Sequence, residues 1–208
     1  MHAKLSPPGR PFLQHMIELT HKVSKRHHHI KLGSGFFKDL TTWQQFIHTW
    51  NGAGFFLTTS WVDSDTLTLH TDASGTLGNG GILGHKWFQG RWETHQQLSA
   101  PGISIAWQEL LALVVACHIW GEEFAQKRIV FYCDNASVVS IVNSKRSSIP
   151  RVMDLVRHLT LLTLKHNFYP RAKHIEGKRN DTAHSLSRFQ MDRFFRLAPR
   201  ALCPQYSW

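Results

Sequence analysis

Cysteine is scarce in these 208 residues: only three occur, at 117, 133 and 203. The odd number and wide spacing exclude a disulfide framework and a clustered zinc site. Cys117 and Cys133 sit in apolar runs and read as core residues, which fits a reducing compartment. No apolar run is long enough to span a membrane. The opening MHAKLSPPGR has no apolar core of a secretion signal, so an intracellular chain, in cytoplasm or nucleus, is expected. No internal repeat or low-complexity tract occurs, and no Asp-Asp pair of the polymerase type, which excludes DNA synthesis by the chain itself.

Hydrophobic residues, at 42%, supply a core, and charged residues at 18% keep the chain globular rather than disordered. The net charge of +10 is unevenly placed. Residues 1–125 hold nine Lys/Arg against nine Asp/Glu, whereas residues 126–208 hold fifteen against five. A basic C-terminal part attracts polyanions, nucleic acid being the commonest.

Residues 1–60 read as a separate helical segment. Phe12, Leu13, Met16, Ile17, Thr20 and Val23 form one helical face, with Pro7, Pro8 and Gly9 before it. Leu40, Trp43, Phe46, Ile47 and Trp50 form a second. Asp39 lies at its expected start and Asn51-Gly52 at its expected end. Lys25 to His29 between them is a polar linker.

From residue 65 the period changes. Leu67, Leu69 and Thr71 alternate along a strand that ends in Asp72. Glycines 75, 78, 80 and 81 mark a turn, and strands from Ile82 and over 86–92 complete a meander. Residues 104–124 form a helix apolar nearly all round, which must be buried on several sides. The run Ile129 to Cys133 suits a central parallel strand and ends in Asp134-Asn135. A short helix over 136–142, a helix opened by Pro150, a strand over 168–175 and a helix over 180–188 follow. The order predicts an α/β fold with a mixed five-stranded sheet flanked by helices. Residues 191–208 read as a C-terminal tail.

Asp72, Glu109 and Asp134 stand where ionised carboxylates are costly, at two strand ends and inside an apolar helix. Asp134 alone reads as a helix N-cap, and Glu109 alone as half of an ion pair. Together, adjacent strand ends and a covering helix can bring them to one point. Such a cluster needs divalent metal, and an oxygen-rich donor set selects magnesium or manganese. Two-metal phosphodiester cleavage is the chemistry that suits it.

Several blocks resemble the RNase H domain of retroelement polymerases: Thr71-Asp72-Ala73-Ser74, Glu109 to Leu113, Cys133-Asp134-Asn135, and His174 to Arg188. Similarity is strongest to DIRS-like retrotransposons, through Pro8 to Leu13 and Trp50-Asn51-Gly52, segments that join reverse transcriptase to RNase H. The resemblance implies an RNase H-like fold over 65–190 behind a connection segment over 1–60. It implies an endonuclease that cuts the RNA strand of RNA–DNA hybrids with two Mg2+ or Mn2+ ions. A polymerase part of the same polyprotein is the implied protein partner.

Residue by residue, Asp72, Glu109 and Asp134 match the metal-binding acids, His174 a loop histidine, and Asn180 the residue that opens the last helix. Ser74, Ser104, Gln108, Asn135, Lys178, Arg179 and Asn180 match or flank substrate-binding positions. Ala106 replaces a residue that is often polar, with Ser104 or Gln108 as stand-ins. Lys145, Arg146 and Arg151 are further candidates for phosphate contacts. The family's fourth acid is replaced by His184, a poorer ligand for magnesium, with Asp181 one turn away as a possible substitute. An enzyme weakened or shifted toward manganese is one reading. A catalytically inactive nucleic-acid-binding remnant is a second, and an integrase-like or resolvase-like nuclease a third.

Overall fold

The computed structural model describes residues 7–23, 25, 27, 29–49, 62–202 and 206–207. The chain separates into two compact units, Met1–Leu57 and Thr58–Trp208. The expected end of the second helix at Trp50 to Gly52, Cys203, and parts of the 25–29 linker lie outside the described residues.

In the first unit, a 3₁₀ turn Pro7–Phe12 leads into α1 (Gln14–His21), and α2 spans Ser34–Thr49. The second helix therefore begins well before Leu40, where the sequence placed it. Near its start Gly35 lets α1 approach closely, since a Cβ there would meet the His15 ring at 2.4 Å. Asp39 lies inside the helix, not at its start. Its buried carboxylate accepts from the His15 backbone N–H at 3.0 Å and lies 3.2 Å from His15 Nδ1, which ties α1 to α2. Trp43 Nε1 donates to the Phe12 carbonyl at 2.8 Å.

The second unit is built on a mixed sheet. Its strands are β1 (Val62–Ala73), β2 (Gly78–Leu83), β3 (Lys86–Arg91), β4 (Lys127–Cys133), β5 (Tyr169–His174) and β6 (Tyr206–Ser207). The order is β5-β4-β1-β2-β3-β6. The expected five-stranded mixed sheet is thus present, with a two-residue strand added beside β3. The helices are α3 (Ile105–Trp120), α4 (Ala136–Ser144), α5 (Pro150–Lys165), α6 (Asp181–Ser187) and α7 (Met191–Leu197).

Alternation along β1 divides the chemistry of the sheet between two faces. Leu69 points into the main core with Phe131 and Ile129 of β4, against α3 and α5. That core holds Trp120, Phe124, Phe131 and Phe168, with ring centroids 5.3 Å apart for Phe124 and Phe168. α3 is buried on several sides, and Ser104 caps it by accepting from Trp107 N at 3.2 Å. On the other face, Ile82 and Trp87 pack with Leu186 of α6 and Phe194 of α7. The segment from residue 191, expected as a tail, thus contributes a core helix. Its Phe194 is fully buried and stands 5.0 Å from the Trp87 ring. Among the described residues, no helix is long and apolar enough to cross a membrane.

The glycines of β2 let α6 lie close on the sheet. A Cβ on Gly80 would meet Leu186 Cβ at 2.4 Å and backbone atoms of 186 and 187 at 3.1 Å. Gly80→Ala is therefore expected to destabilise the fold by about 1–3 kcal/mol through overpacking, read as a lower urea midpoint at unchanged slope.

Candidate active site

Parallel pairing of β1 with β4 decides where the acids meet. Leu69 is opposite Phe131 and His70 opposite Tyr132. Continued by two residues, this register brings Asp72 beside Asp134, just past the end of β4. α3 lies over β1 and turns Glu109 toward the same point, where Cys133 Sγ lies 3.3 Å from Glu109 Oε2. Among the described residues, two groups of potential metal ligands result: Asp72, Asp134 and His184, and Glu109, Cys133 and Asp134. Within each group the donor atoms lie within 4.8 Å of one another. Asp134 belongs to both.

His184 stands between two carboxylates. Its Nε2 is 3.1 Å from Asp72 Oδ1 and 2.8 Å from Asp134 Oδ2. On its far side, Asp72 Oδ2 accepts from Arg188 Nη1 at 2.8 Å and from Ser187 Oγ. Ser187 and Arg188 lie within the 174–188 block, whose resemblance assigns them no role. The signal was available in the spacing, since a basic residue four positions after 184 lies on the same side of a helix. Asp181 does not substitute for the missing acid. It pairs instead with Arg193 Nη2 at 2.6 Å, linking α6 to α7.

Burial and the two neighbouring aspartates push the Glu109 carboxyl up to about 8, so it is protonated near neutrality. Hydrogen bonds to Asp134 and Asp72 push His184 up to about 9, which makes it an imidazolium. The His184 hydrogen bond holds Asp134 below the usual carboxylate range. Two carboxylates thus face two cations, His184 and Arg188.

The donor set fits a divalent cation. Asp134 Oδ1 is buried with no hydrogen-bond partner, an expensive state for a carboxylate oxygen. Burial pushes the Cys133 thiol far up, so it is no thiolate ligand. Carboxylate oxygens remain, joined by the His184 imidazole once that ring has lost its proton. They suit a hard or borderline ion, and the imidazole favours manganese over magnesium.

The other expected site residues fall at varied places. His174 Nε2 is 3.1 Å from the Asp134 carbonyl, on the exposed rim. Asn180 is buried and donates from Nδ2 to the Thr71 carbonyl at 3.0 Å, so it ties the loop before α6 to β1 rather than capping the helix. Asn135, not Asp134, is the cap of α4, its Oδ1 accepting from Ser137 N and Val138 N. Gln108 is fully buried and braces the carbonyls of Gly75 and Gln96, which leaves it no path to a substrate. Ser104 is a helix cap, and Ser74 Oγ accepts from Leu77 N. Lys178 and Arg179 are exposed on a 3₁₀ turn before α6. Lys145 lies over the Tyr169 ring at 5.1 Å, and Arg151 lines a groove with Trp92 and His95. Arg146 is exposed just after α4.

No protein-family model matches the chain, and no curated protein is significantly similar to it in sequence. Among solved structures, it is similar to the N-terminal RNase H domain of Rv2228c from Mycobacterium tuberculosis, solved as a fusion with maltose binding protein. That likeness has 17% identity over 66% of this chain and 99% of the other, with a TM-score of 0.42. RNase H1 from the halophilic archaeon Halobacterium salinarum NRC-1 is similar at 13% identity, over 64% of this chain and 98% of the other, with a TM-score of 0.46.

The two raised pKa values act on stability in the same direction. Between their unfolded and folded values, the native state holds a proton that the unfolded chain has lost, so stability falls as pH rises. For His184 the contribution is complete below about 6.5 and is lost as pH climbs through about 9. For Glu109 the fall runs from about 4.5 to about 8. In EDTA, urea unfolding is expected to show a loss on the order of 2 kcal/mol between pH 6 and 9. His184→Gln should flatten that slope above pH 6.5.

Proposed function

We propose that the chain carries an endonuclease that hydrolyses the RNA strand of RNA–DNA hybrids with divalent metal ions, weakened in magnesium by His184. What supports this reading is the convergence of Asp72, Glu109 and Asp134 from three separate elements, with a buried, unpartnered Asp134 oxygen among them. The ordered sequence blocks support an origin in a DIRS-like retrotransposon, with residues 1–60 as the connection from a reverse transcriptase.

In this reading Asp134 is shared between two ion positions, with Asp72 and His184 on one side and Glu109 on the other. A divalent cation bound there supplies an activated water and offsets charge on the scissile phosphate. The protein's own part is to hold the acids with fixed geometry. Arg188 and Ser187 keep Asp72 oriented, and the Cys133 thiol does the same for Glu109. His174 stands at the rim, where it can exchange a proton with the leaving oxygen. Lys178 and Arg179 meet backbone phosphates, and the hybrid is recognised by its shape and 2′-hydroxyls rather than by sequence.

A second reading, a non-catalytic nucleic-acid-binding remnant, draws on the same geometry. The His184 imidazolium and Arg188 already balance Asp72 and Asp134 with no ion required. Cleavage of a labelled hybrid separates the two. The nuclease reading expects activity in manganese that rises with pH as His184 gives up its proton. It expects His184→Asp to raise the magnesium rate at least tenfold, and Asp134→Asn to lower cleavage by about a thousandfold. No cleavage by the native chain in either metal at any pH, with His184→Asp equally inert, leaves only the remnant.

A further inference from the structure

The second sheet face carries a cavity that the acid cluster does not use. It measures about 390 Å³, within the range of small-ligand sites. Its floor is Thr68 and His70 of β1, and its walls include Asn180, Arg179, His85 and Arg200. No carboxylate lines it among the described residues, and no described residue pairs with either arginine.

Contacts within the fold fix the floor and walls of the cavity. The His70 ring stacks on Tyr132, with centroids 4.9 Å apart and planes at 21°. Asn180 is 1% exposed, and its side-chain amide lies against the His70 ring. The wall over 197–201 is anchored to β3 and the turn before it. Trp87 Nε1 donates to the Leu202 carbonyl at 2.6 Å, and Leu202 N donates to the His85 carbonyl at 2.9 Å. Two unpaired guanidiniums match a phosphate. A buried amide oxygen and a ring match the polar edge of a nucleoside.

Position ties the cavity to the acids. His70 and Asp72 lie on the same face of β1, roughly 7 Å apart along the strand, a step comparable with that between successive phosphates. Asn180 also donates to the carbonyl of Thr71, the residue between them. We infer that the cavity is a nucleotide subsite, in which Arg179 and Arg200 take a phosphate and His70 and Asn180 take the attached nucleoside. Resting on the nuclease reading, the ligand is a nucleotide of the strand passing the acid cluster; the same chemistry admits a free nucleoside monophosphate.

The test is made on the full chain in EDTA, where no cleavage occurs, so it stands whether or not the protein proves to be a nuclease. Fluorescence anisotropy measures binding of a labelled RNA–DNA hybrid, and calorimetry measures binding of AMP. The double variant Arg179→Gln, Arg200→Gln is compared with Lys165→Gln, Arg171→Gln, which removes equal charge elsewhere on the surface. All four side chains are exposed, and equal melting temperatures confirm the fold. The subsite predicts a tenfold loss of hybrid affinity in the first pair, less than threefold in the second. It also predicts a salt slope shallower by about one for the first pair. Loss of AMP binding alone assigns the subsite to a free nucleotide, and loss of hybrid binding alone to a nucleotide within a strand. Equal effects of the two pairs on the hybrid, with AMP binding absent or unaltered, overturn the inference.

Discussion

Two ionised carboxylates at the ends of adjacent parallel strands repel each other, and something positive must stand between them. In this chain the His184 imidazolium does so, reaching Asp72 and Asp134 from α6. The surrounding structure serves that contact. β1 and β4 must be neighbours to bring the acids together, and β2 must be glycine-rich so that α6 can come close enough. α7 must pack behind α6, where Phe194 is buried against Trp87 and Arg193 holds Asp181.

The same contact explains the protonation pattern. His184 and Arg188 turn to Asp72 and Asp134, whereas Glu109 is buried in the apolar wall of α3 beside two aspartates, so it keeps its proton. The neutral acid then accepts from the Cys133 thiol, which burial keeps protonated as well. A metal entering the cluster has to displace protons from two groups, the neutral Glu109 carboxyl and the positively charged His184 ring. Its affinity is therefore bound to acidity more steeply than in an all-carboxylate site.

Much of the framework was legible beforehand because it rests on strong periodic signals. The alternation around Leu69, the unbroken run before Asp134 and the all-round apolar helix carrying Glu109 each demanded one kind of element. Misplaced features depended on tertiary contacts. Asp39 looked like the start of a helix, although it lies inside α2 and holds His15 of α1. Residues 191–208 looked like a tail, because a seven-residue helix has too little periodicity to announce itself, and Phe194 gains its meaning only from Trp87. Gln108 looked like a substrate contact from its position in the block, yet its direction on the helix turns it inward. Arg188 was visible as a residue but not as a partner of Asp72, since 116 positions separate them.

The short loop joining β1 to β2 is the least conspicuous part of this arrangement. Ser74 N donates to the Gly78 carbonyl at 2.8 Å, closing the loop, and Asp72 lies directly across from Gly80. A single residue inserted there shifts β2 by half a pleat and sets a side chain where α6 now rests. The loop cannot change length, and Ser74 within it is held by its own hydrogen bond to Leu77 N. An exposed turn position such as Leu77 can therefore take other side chains, whereas an insertion or deletion between 74 and 77 disturbs the seat of α6.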